Sequence, residues 1–292
     1  MDKIIKPKVF TIVLNWNRKK DSLKCLKSLE QQNYKNNIIV FVDNNSNDDS
    51  VQAVKKEFPE IKIIQNKKNF GYAKGNNIGI KYALENNADF ILILNNDTIV
   101  DKKLISKLLE PFKSDGKIVI TSSIIIDKNK NKIWSAGGNY SKITGLVFMH
   151  KKYQENINFV SGCAMMIKAD PLKKVGLFDE KYFLYYEDAD LCLRVCEQNY
   201  KLKIVNEKLV DHFESKSSGG KYSKNYLYYN FRNYWLCAKK NTSIIYRPTQ
   251  ILSYILWTFY IFTKAILAKR SPFSIYFGLF DALINKYYQR KT

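Results

Sequence analysis

Two carboxylates in this chain stand where an unbroken apolar run ends. Residues 90–94 (Phe-Ile-Leu-Ile-Leu) pass directly into Asn95, Asn96, Asp97 and Thr98, and residues 38–42 (Ile-Ile-Val-Phe-Val) pass into Asp43 and a polar stretch. A carboxylate flanked by amides and a hydroxyl can hold a divalent cation or face a phosphate, and Asn-Asn-Asp-Thr is equally ordinary turn chemistry. A third acidic group, Glu187, Asp188 and Asp190, follows the aromatic run Tyr182, Phe183, Tyr185 and Tyr186, whose rings could wall a sugar-sized pocket. At the start of a helical pattern the same acids also complement a helix N-terminus, each by about 0.3–1 kcal/mol. His212, one of 2 histidines, stands after a strand pattern and before a Ser/Gly stretch, a position open to a metal ligand and to a structural ring alike.

The elements that must position these groups are read from periodicity. Residues 9–16 form a buried strand, and Leu23, Leu26 and Leu29 after Asp21-Ser22 form a capped helix. A strand at 38–42, a helix with Val51, Val54 and Phe58 on one face, a strand at 61–64, a helix at 75–84 and the strand at 90–94 follow. This β-α-β-α-β-α-β order predicts an α/β fold with a mostly parallel, Rossmann-like sheet flanked by helices. Parallel strands present their carboxyl ends on one edge, so Asp43 and Asp97 converge on the crevice where open sheets bind ligands.

The first strand-to-helix turn, Asn15-Trp-Asn-Arg18, has no glycine, and the chain has neither the Gly-x-Gly-x-x-Gly turn there nor a Gly-Lys-Ser/Thr loop. Dinucleotide-dependent dehydrogenases and P-loop NTPases are thereby disfavoured. After a helix at 101–112 and a strand at 118–126 the alternation stops. Residues 127–154, polar and glycine-containing, predict a loop or small hairpin over the crevice. An apolar strand at 159–167 is interrupted at Gly162, where the missing side chain lets a ligand approach the backbone. A helix bearing Leu191, Cys192, Val195 and Cys196 and a short strand at 202–205 lead to His212.

The 292 residues carry 48 Lys and Arg against 27 Asp and Glu, a formal charge of +21. That excess attracts polyanions of several kinds: nucleic acid, an anionic membrane surface or phosphorylated substrates. The 5 cysteines are odd in number and form no Cys-x-x-Cys pair, which argues against a disulfide framework or zinc site and for a reducing, cytosolic compartment. The N-terminus, Met-Asp-Lys-Ile-Ile-Lys-Pro-Lys, carries no pattern of a secretory signal, so no export is expected from this end.

From Tyr226 the composition changes. Residues 248–263 are an uncharged, aromatic-rich run of sixteen, short of the roughly 20 that span a bilayer. With Lys264, Lys269, Arg270, Lys286, Arg290 and Lys291 nearby and a second apolar run at 272–284, an interfacial helical pair contacting anionic membrane is expected. The competing arrangement packs the pair on the α/β domain or on a second subunit of a homodimer. The expected division is an α/β domain at 1–235 and a C-terminal helical segment at 236–292.

An ordered set of motifs over residues 8 to about 235 resembles the inverting GT-A glycosyltransferases of family 2, in particular their rhamnosyltransferase-like branch. The pieces are Val-Leu-Asn-Trp-Asn17, Val-Asp43-Asn-Asn-Ser, Asn69-Phe-Gly-Tyr-Ala-Lys-Gly75-Asn-Asn-Ile-Gly79, Leu-Asn95-Asn-Asp97-Thr, Ser161-Gly-Cys-Ala, Phe178-Asp-Glu, Tyr186-Glu-Asp188-Ala-Asp-Leu-Cys-Leu-Arg194, and His212. The resemblance implies a GT-A fold and a donor site drawn from Thr11, Asn15, Asn17, Asp43, Asn45, Asn69, Gly71, Lys74, Asn76, Asn95, Asn96 and Gly162. Asp43 would accept the N3–H of uracil or thymine, a proton cytosine lacks.

Asp97 matches the last acid of the family's Asp-x-Asp metal motif, whose first acid is here Asn95. With His212 it would hold Mn²⁺ or Mg²⁺ on the donor diphosphate, the imidazole favouring Mn²⁺. Asp188 matches the catalytic base, beside Glu187. The implied reaction moves a sugar, for example rhamnose, galactose, glucose or an N-acetylhexosamine, from a UDP- or dTDP-linked donor to a glycan or lipid-linked glycan. It would take place at the cytoplasmic face of the cell membrane, in cell-surface polysaccharide synthesis, with no nucleic-acid partner. Two alternatives stand beside it: a sugar-phosphate nucleotidyltransferase, which would want a Gly-rich turn after the first strand, and a basic nucleic-acid-binding protein.

Overall fold

The structure is a computed structural model that describes residues 6–213, 220 and 222–287. The Ser/Gly stretch at 214–219, the cations Arg290 and Lys291 and the first five residues lie outside the described residues. The first half alternates as the periodicity predicts: β1 (Val9–Asn15), α1 (Lys19–Glu30), β2 (Asn37–Asp43), α2 (Ser50–Glu57), β3 (Lys62–Gln65), α3 (Gly71–Glu85) and β4 (Phe90–Asn95). Then come β5 (Thr98–Val100), α4 (Leu104–Leu109), α5 (Pro111–Ser114), β6 (Ile118–Asp127), β7 (Lys132–Ser135), β8 (Gly138–Tyr140), β9 (Val147–Met149) and β10 (Ala164–Lys168). The chain continues through α6 (Ala169–Val175), α7 (Glu187–Glu197), β11 (Lys201–His212), α8 (Lys224–Asn241), α9 (Arg247–Leu267) and α10 (Ser274–Leu283).

Among the described residues one sheet runs β3-β2-β1-β4-β10-β6-β11-β5, with β7 on β6. The pairs β1–β2, β1–β4, β2–β3 and β6–β11 are parallel, whereas β10 is antiparallel to both β4 and β6, and β5 is antiparallel to β11. Continuous apolar strands follow from burial on both faces. In β1, Phe10 and Ile12 pack with Ile80 and Ala83 of α3 on one side, and Val9 and Val13 pack with Leu26, Leu29 and Leu104 on the other.

Three expectations change in detail, and the small hairpin expected within 127–154 is found, with β7 added on β6. The helix at 101–112 is split, because Pro111 starts a new helical turn rather than continuing the old one. The strand expected at 159–167 forms its ladder over Ala164–Lys168, and before it Phe159 makes an isolated bridge to Gly138. The strand at 202–205 extends to His212; register shifts around Val205 and Lys208 break the side-chain alternation that would have signalled it. Residues 127–154 form β7 and the β8–β9 hairpin.

The C-terminal segment departs further. α8 runs unbroken across the boundary expected at 235. α9 is 21 residues, longer than the uncharged run, since Arg247-Pro248 opens the helix and Lys264 does not close it. With the 3-10 turn before it, the helical unit Ile244–Leu267 is long and apolar enough to cross a membrane by length and composition, and 22% of its most apolar stretch is buried.

Candidate functional site

The carboxyl edge of β1, β2 and β4 gathers the first group of polar residues. Parallel register sets Asn15 beside Asp43 and Leu14 beside Asn95. The Asn15 amide donates to Asp43 Oδ1 at 2.8 Å, and Ser46 supplies its hydroxyl to Oδ1 at 2.6 Å and its backbone N–H to Oδ2 at 2.9 Å. Asp43 is only 3% exposed, yet two carboxylate oxygens still have lone pairs for a further donor. Asn15 Oδ1 accepts from Ser22 and from Asn96, at 2.9 and 3.1 Å, which ties the strand ends to α1. Asn17 and Asn45 are exposed and have positive φ, and Asn17 is fastened to the loop after β2 through Ser46 and Asn47.

A second group surrounds the start of α3. The Asn44 amide donates to the Gly71 carbonyl at 2.9 Å and accepts from Asn66 at 2.8 Å, while Asn69 Oδ1 accepts the Gly71 N–H at 2.8 Å. Gly71 sits at φ +78°, and a Cβ there would come within 2.4 Å of the Phe183 carbonyl oxygen. Neither the conformation nor the space admits a side chain. Tyr72 next to it donates its backbone N–H to that same carbonyl at 2.7 Å, joining α3 to the aromatic loop before α7.

Asp97 and His212 come together across β4, β5 and β11. His212 Nε2 lies 3.3 Å from Asp97 Oδ1, both residues are buried, and the Trp134 ring contacts the imidazole edge-on at 4.7 Å. The link to α7 runs through Gly162. Its N–H donates to Asp188 Oδ2 at 3.0 Å, its carbonyl accepts the Tyr72 hydroxyl at 2.7 Å, and the next carbonyl, of Cys163, accepts the Asn95 N–H at 2.9 Å.

Glu187 and Asp188 open α7 after two tyrosines, Tyr185 and Tyr186, both at positive φ; Asp188 is the second residue of the helix. Burial pushes its carboxyl above the usual range against the pull of the Gly162 and Ala189 N–H groups. Glu187 is raised well above its ordinary value by burial and then by the Asp188 charge, and its Oε2 has no hydrogen-bond partner among the described residues. The turn is held from α8: Arg232, wholly buried, donates to the Lys181 carbonyl at 3.0 Å, and Asn233 donates to Leu184 and Tyr185.

Three candidates stand apart. Thr11 lies mid-strand in β1, and its buried hydroxyl donates to Asn37 Oδ1 at 2.7 Å, four residues short of the edge that carries Asn15. Asn76 is 1% exposed within α3 and its amide donates back to the Tyr72 carbonyl. Lys74 pairs with Glu180 at 2.8 Å. Sequence reasoning missed Asn44, Ser46, Tyr72 and Asn233. Asn44 and Ser46 lie within the Asp43-Asn-Asn-Ser motif and Tyr72 within Asn69-Phe-Gly-Tyr, while Arg232-Asn233 resembles a family Arg-Asn segment, so the signal was present without a role attached to it.

A mostly parallel sheet whose edge bears acids and amides, with a carboxylate-led helix facing it, has the GT-A fold of solved glycosyltransferases. The chain belongs to glycosyl transferase family 2, whose family model matches residues 11–176. It is 28% identical over 207 residues to the low-salt glycan biosynthesis hexosyltransferase Agl10 of Haloferax volcanii, covering 68% of this chain and 66% of that one. It is 25% identical over 246 residues to the dTDP-rhamnosyl transferase RfbF of Shigella flexneri, covering 80% of each. Among solved structures, the mannosyltransferase PcManGT of Pyrobaculum calidifontis, crystallised with GDP-Man and Mn²⁺, superposes with a TM-score of 0.62 at 13% identity over 99% of this chain and 89% of that one. Residues 1–349 of TarS from S. aureus superpose with a TM-score of 0.62 at 16% identity, covering 96% and 81%.

Proposed function

We propose that this glycosyltransferase moves a sugar, with inversion, from a UDP- or dTDP-linked donor to a hydroxyl of a glycan or lipid-linked glycan in cell-surface polysaccharide assembly. The observation that supports the reading is the run of contacts from Asn95, two residues before Asp97, through Cys163 and Gly162 to Asp188, which connects the candidate cation ligands to the candidate base. The dTDP-sugar named for RfbF supports the choice of nucleotide.

In this reading Asp43 receives the base of the nucleotide, with Asn15 and Ser46 fixing its carboxylate. Asp97 and His212 would hold a divalent cation, Mn²⁺ or Mg²⁺; their Oδ1 and Nε2 atoms, 3.3 Å apart, are near enough to share one ion. Among the described residues no group of three or more His, Cys, Asp and Glu is placed to hold a metal ion. When bound, the cation offsets the charge that develops on the leaving diphosphate.

Asp188 takes the proton of the acceptor hydroxyl as its oxygen bonds to C1 from the face opposite the diphosphate. The C1–O bond breaks, and the electron pair leaves with the nucleoside diphosphate. Gly162 aims Asp188 Oδ2 through its N–H; its side-chain side, expected to admit a ligand, is instead filled by Tyr72, whose hydroxyl a Cβ would meet at 2.8 Å.

The test is thermal stability with UDP, dTDP, GDP and CDP, each with and without Mn²⁺. At 100 times its dissociation constant a ligand adds about 2.7 kcal/mol. Stabilisation by UDP or dTDP that needs Mn²⁺ and disappears in Asp97→Ala and His212→Ala is expected. A GDP- or CDP-selective response would overturn the nucleotide assignment, and a metal-independent one the cation site.

A further inference from the structure

Past residue 242 the sequence has a single acid, Asp281, and that carboxylate is turned inward to accept the Tyr228 hydroxyl at 2.6 Å. Lys264, Lys269, Arg270 and Lys286, by contrast, are exposed. Most of the large apolar side chains exposed among the described residues lie in this same segment, between Ile244 and Ile284. On α9 one stripe, Gln250, Tyr254, Ile261 and Ala265, is buried, while Leu256 and Phe259 are 63% and 72% exposed. α10 repeats the division: Ile275, Gly278 and Ala282 are buried and Phe280 is 59% exposed. So much contiguous apolar surface on a soluble face is a binding surface by ordinary standards.

We infer that the outer face of α9 and α10 docks in the plane of an anionic lipid bilayer. Apolar and aromatic side chains with exposed cations and no outward acid suit the headgroup boundary, where each Lys or Arg adds attraction to anionic lipid. The charge complementarity selects lipid over a second copy of the chain, whose matching face would bring the same cations together.

α9 has the length to span, but its buried stripe is fastened along the catalytic domain. Gln250 donates to the Lys142 carbonyl at 2.7 Å, Tyr254 contacts the Phe231 and Tyr234 rings, and Trp257 stacks on Phe231 at 4.2 Å. Crossing the bilayer would break these contacts or carry polar protein into hydrocarbon, so the helix lies along the surface. An open apolar groove between α9 and the β8–β9 hairpin, lined by Leu146, Leu252, Leu256 and Trp257, lies beside this face.

The experiment is flotation of the full chain with phosphatidylcholine vesicles lacking or containing phosphatidylglycerol, without donor or acceptor, so that it reads independently of the transfer reaction. The chain floats with anionic vesicles, is released by alkaline carbonate, and loses at least about tenfold in partition in Lys264→Glu/Lys269→Glu/Arg270→Glu. Phe259→Glu/Phe280→Glu stays unbound while keeping the wild-type Tm, since both rings are exposed. Four results each overturn the inference: no flotation at low salt, equal binding to neutral vesicles, resistance to carbonate, or a solution dimer that the double variant converts to monomer without any vesicle binding.

Discussion

The side-chain amide of Asn233 in α8 donates to the carbonyl oxygens of both Leu184 and Tyr185, each at 2.8 Å. Tyr185 and Tyr186 have φ of 69° and 72°, a conformation that costs a non-glycine residue about 1–3 kcal/mol unless its surroundings impose it. α7 begins at the next residue, so the orientation of Glu187 and Asp188 depends on a clamp from a helix some fifty residues away. Arg232 reinforces it at the Lys181 carbonyl.

Asn233→Ala is therefore expected to lower kcat by about 10- to 100-fold, as misplacement of a catalytic group does, while the donor dissociation constant changes little. Leaving two carbonyls without their donor costs about 1–3 kcal/mol of stability. Steady-state kinetics with donor titration and a melting curve separate the two effects. Equal loss in donor binding and in kcat would mean that α8 supports the whole crevice rather than this turn.

Replacing Asp188 with Asn keeps an oxygen to accept the Gly162 N–H and removes the basicity. Transfer is expected to fall by about 10²–10⁴, with nucleotide binding retained. Turnover near the wild-type rate in single-turnover assays would remove Asp188 from the proton transfer.

The first half of the fold was legible because β1, β2 and β4 are buried on both faces and read as unbroken apolar runs. Placing Asp43 and Asp97 on one edge followed from parallel strand geometry alone. The partners of these acids were not legible: Asn44 bonds to Gly71, Tyr72 to Gly162 and Asn233 to Tyr185, contacts 27, 90 and 48 residues apart in sequence that leave no periodic trace. β11 was read short because its irregular register places Asn206, Glu207 and Lys208 where alternation would continue. Thr11 shares a strand with Asn15, but spacing along the strand, not membership in it, decides which side chains reach the edge.

Gly71→Ala is expected to destabilise the protein and disorder the junction of α3 with the aromatic loop. A Cβ would meet the Phe183 carbonyl and ring at 2.4 and 2.5 Å, and positive φ adds strain of about 1 kcal/mol or more. Hydrogen exchange should report faster opening at Tyr72, whose N–H bonds to Phe183, with little change in β2 and β3. Wild-type protection at Tyr72 would show that the loop can move aside.

Glu187 and Asp188 together predict the pH response. Their ordinary values are 4.5 and 3.8, and in the folded chain burial raises both, Glu187 further through the Asp188 charge. Between the ordinary and the raised values the native state binds more protons than the unfolded state, so stability falls as pH rises through that window. Glu187→Gln removes its share of this slope: the variant's melting temperature is expected to equal or exceed that of the wild type near neutral pH and to vary less with pH.

Activity runs the other way. Asp188 must be ionised to take the acceptor proton, so kcat/KM is expected to rise with pH on an acid limb whose midpoint lies above 3.8, the pair titrating as a unit. A melting temperature that climbs between mildly acidic and neutral pH through this pair, or an acid limb at or below the ordinary aspartate value, would mean that the crevice hydrates the two carboxylates. Asp188 would then work as a solvated base, without the help of burial.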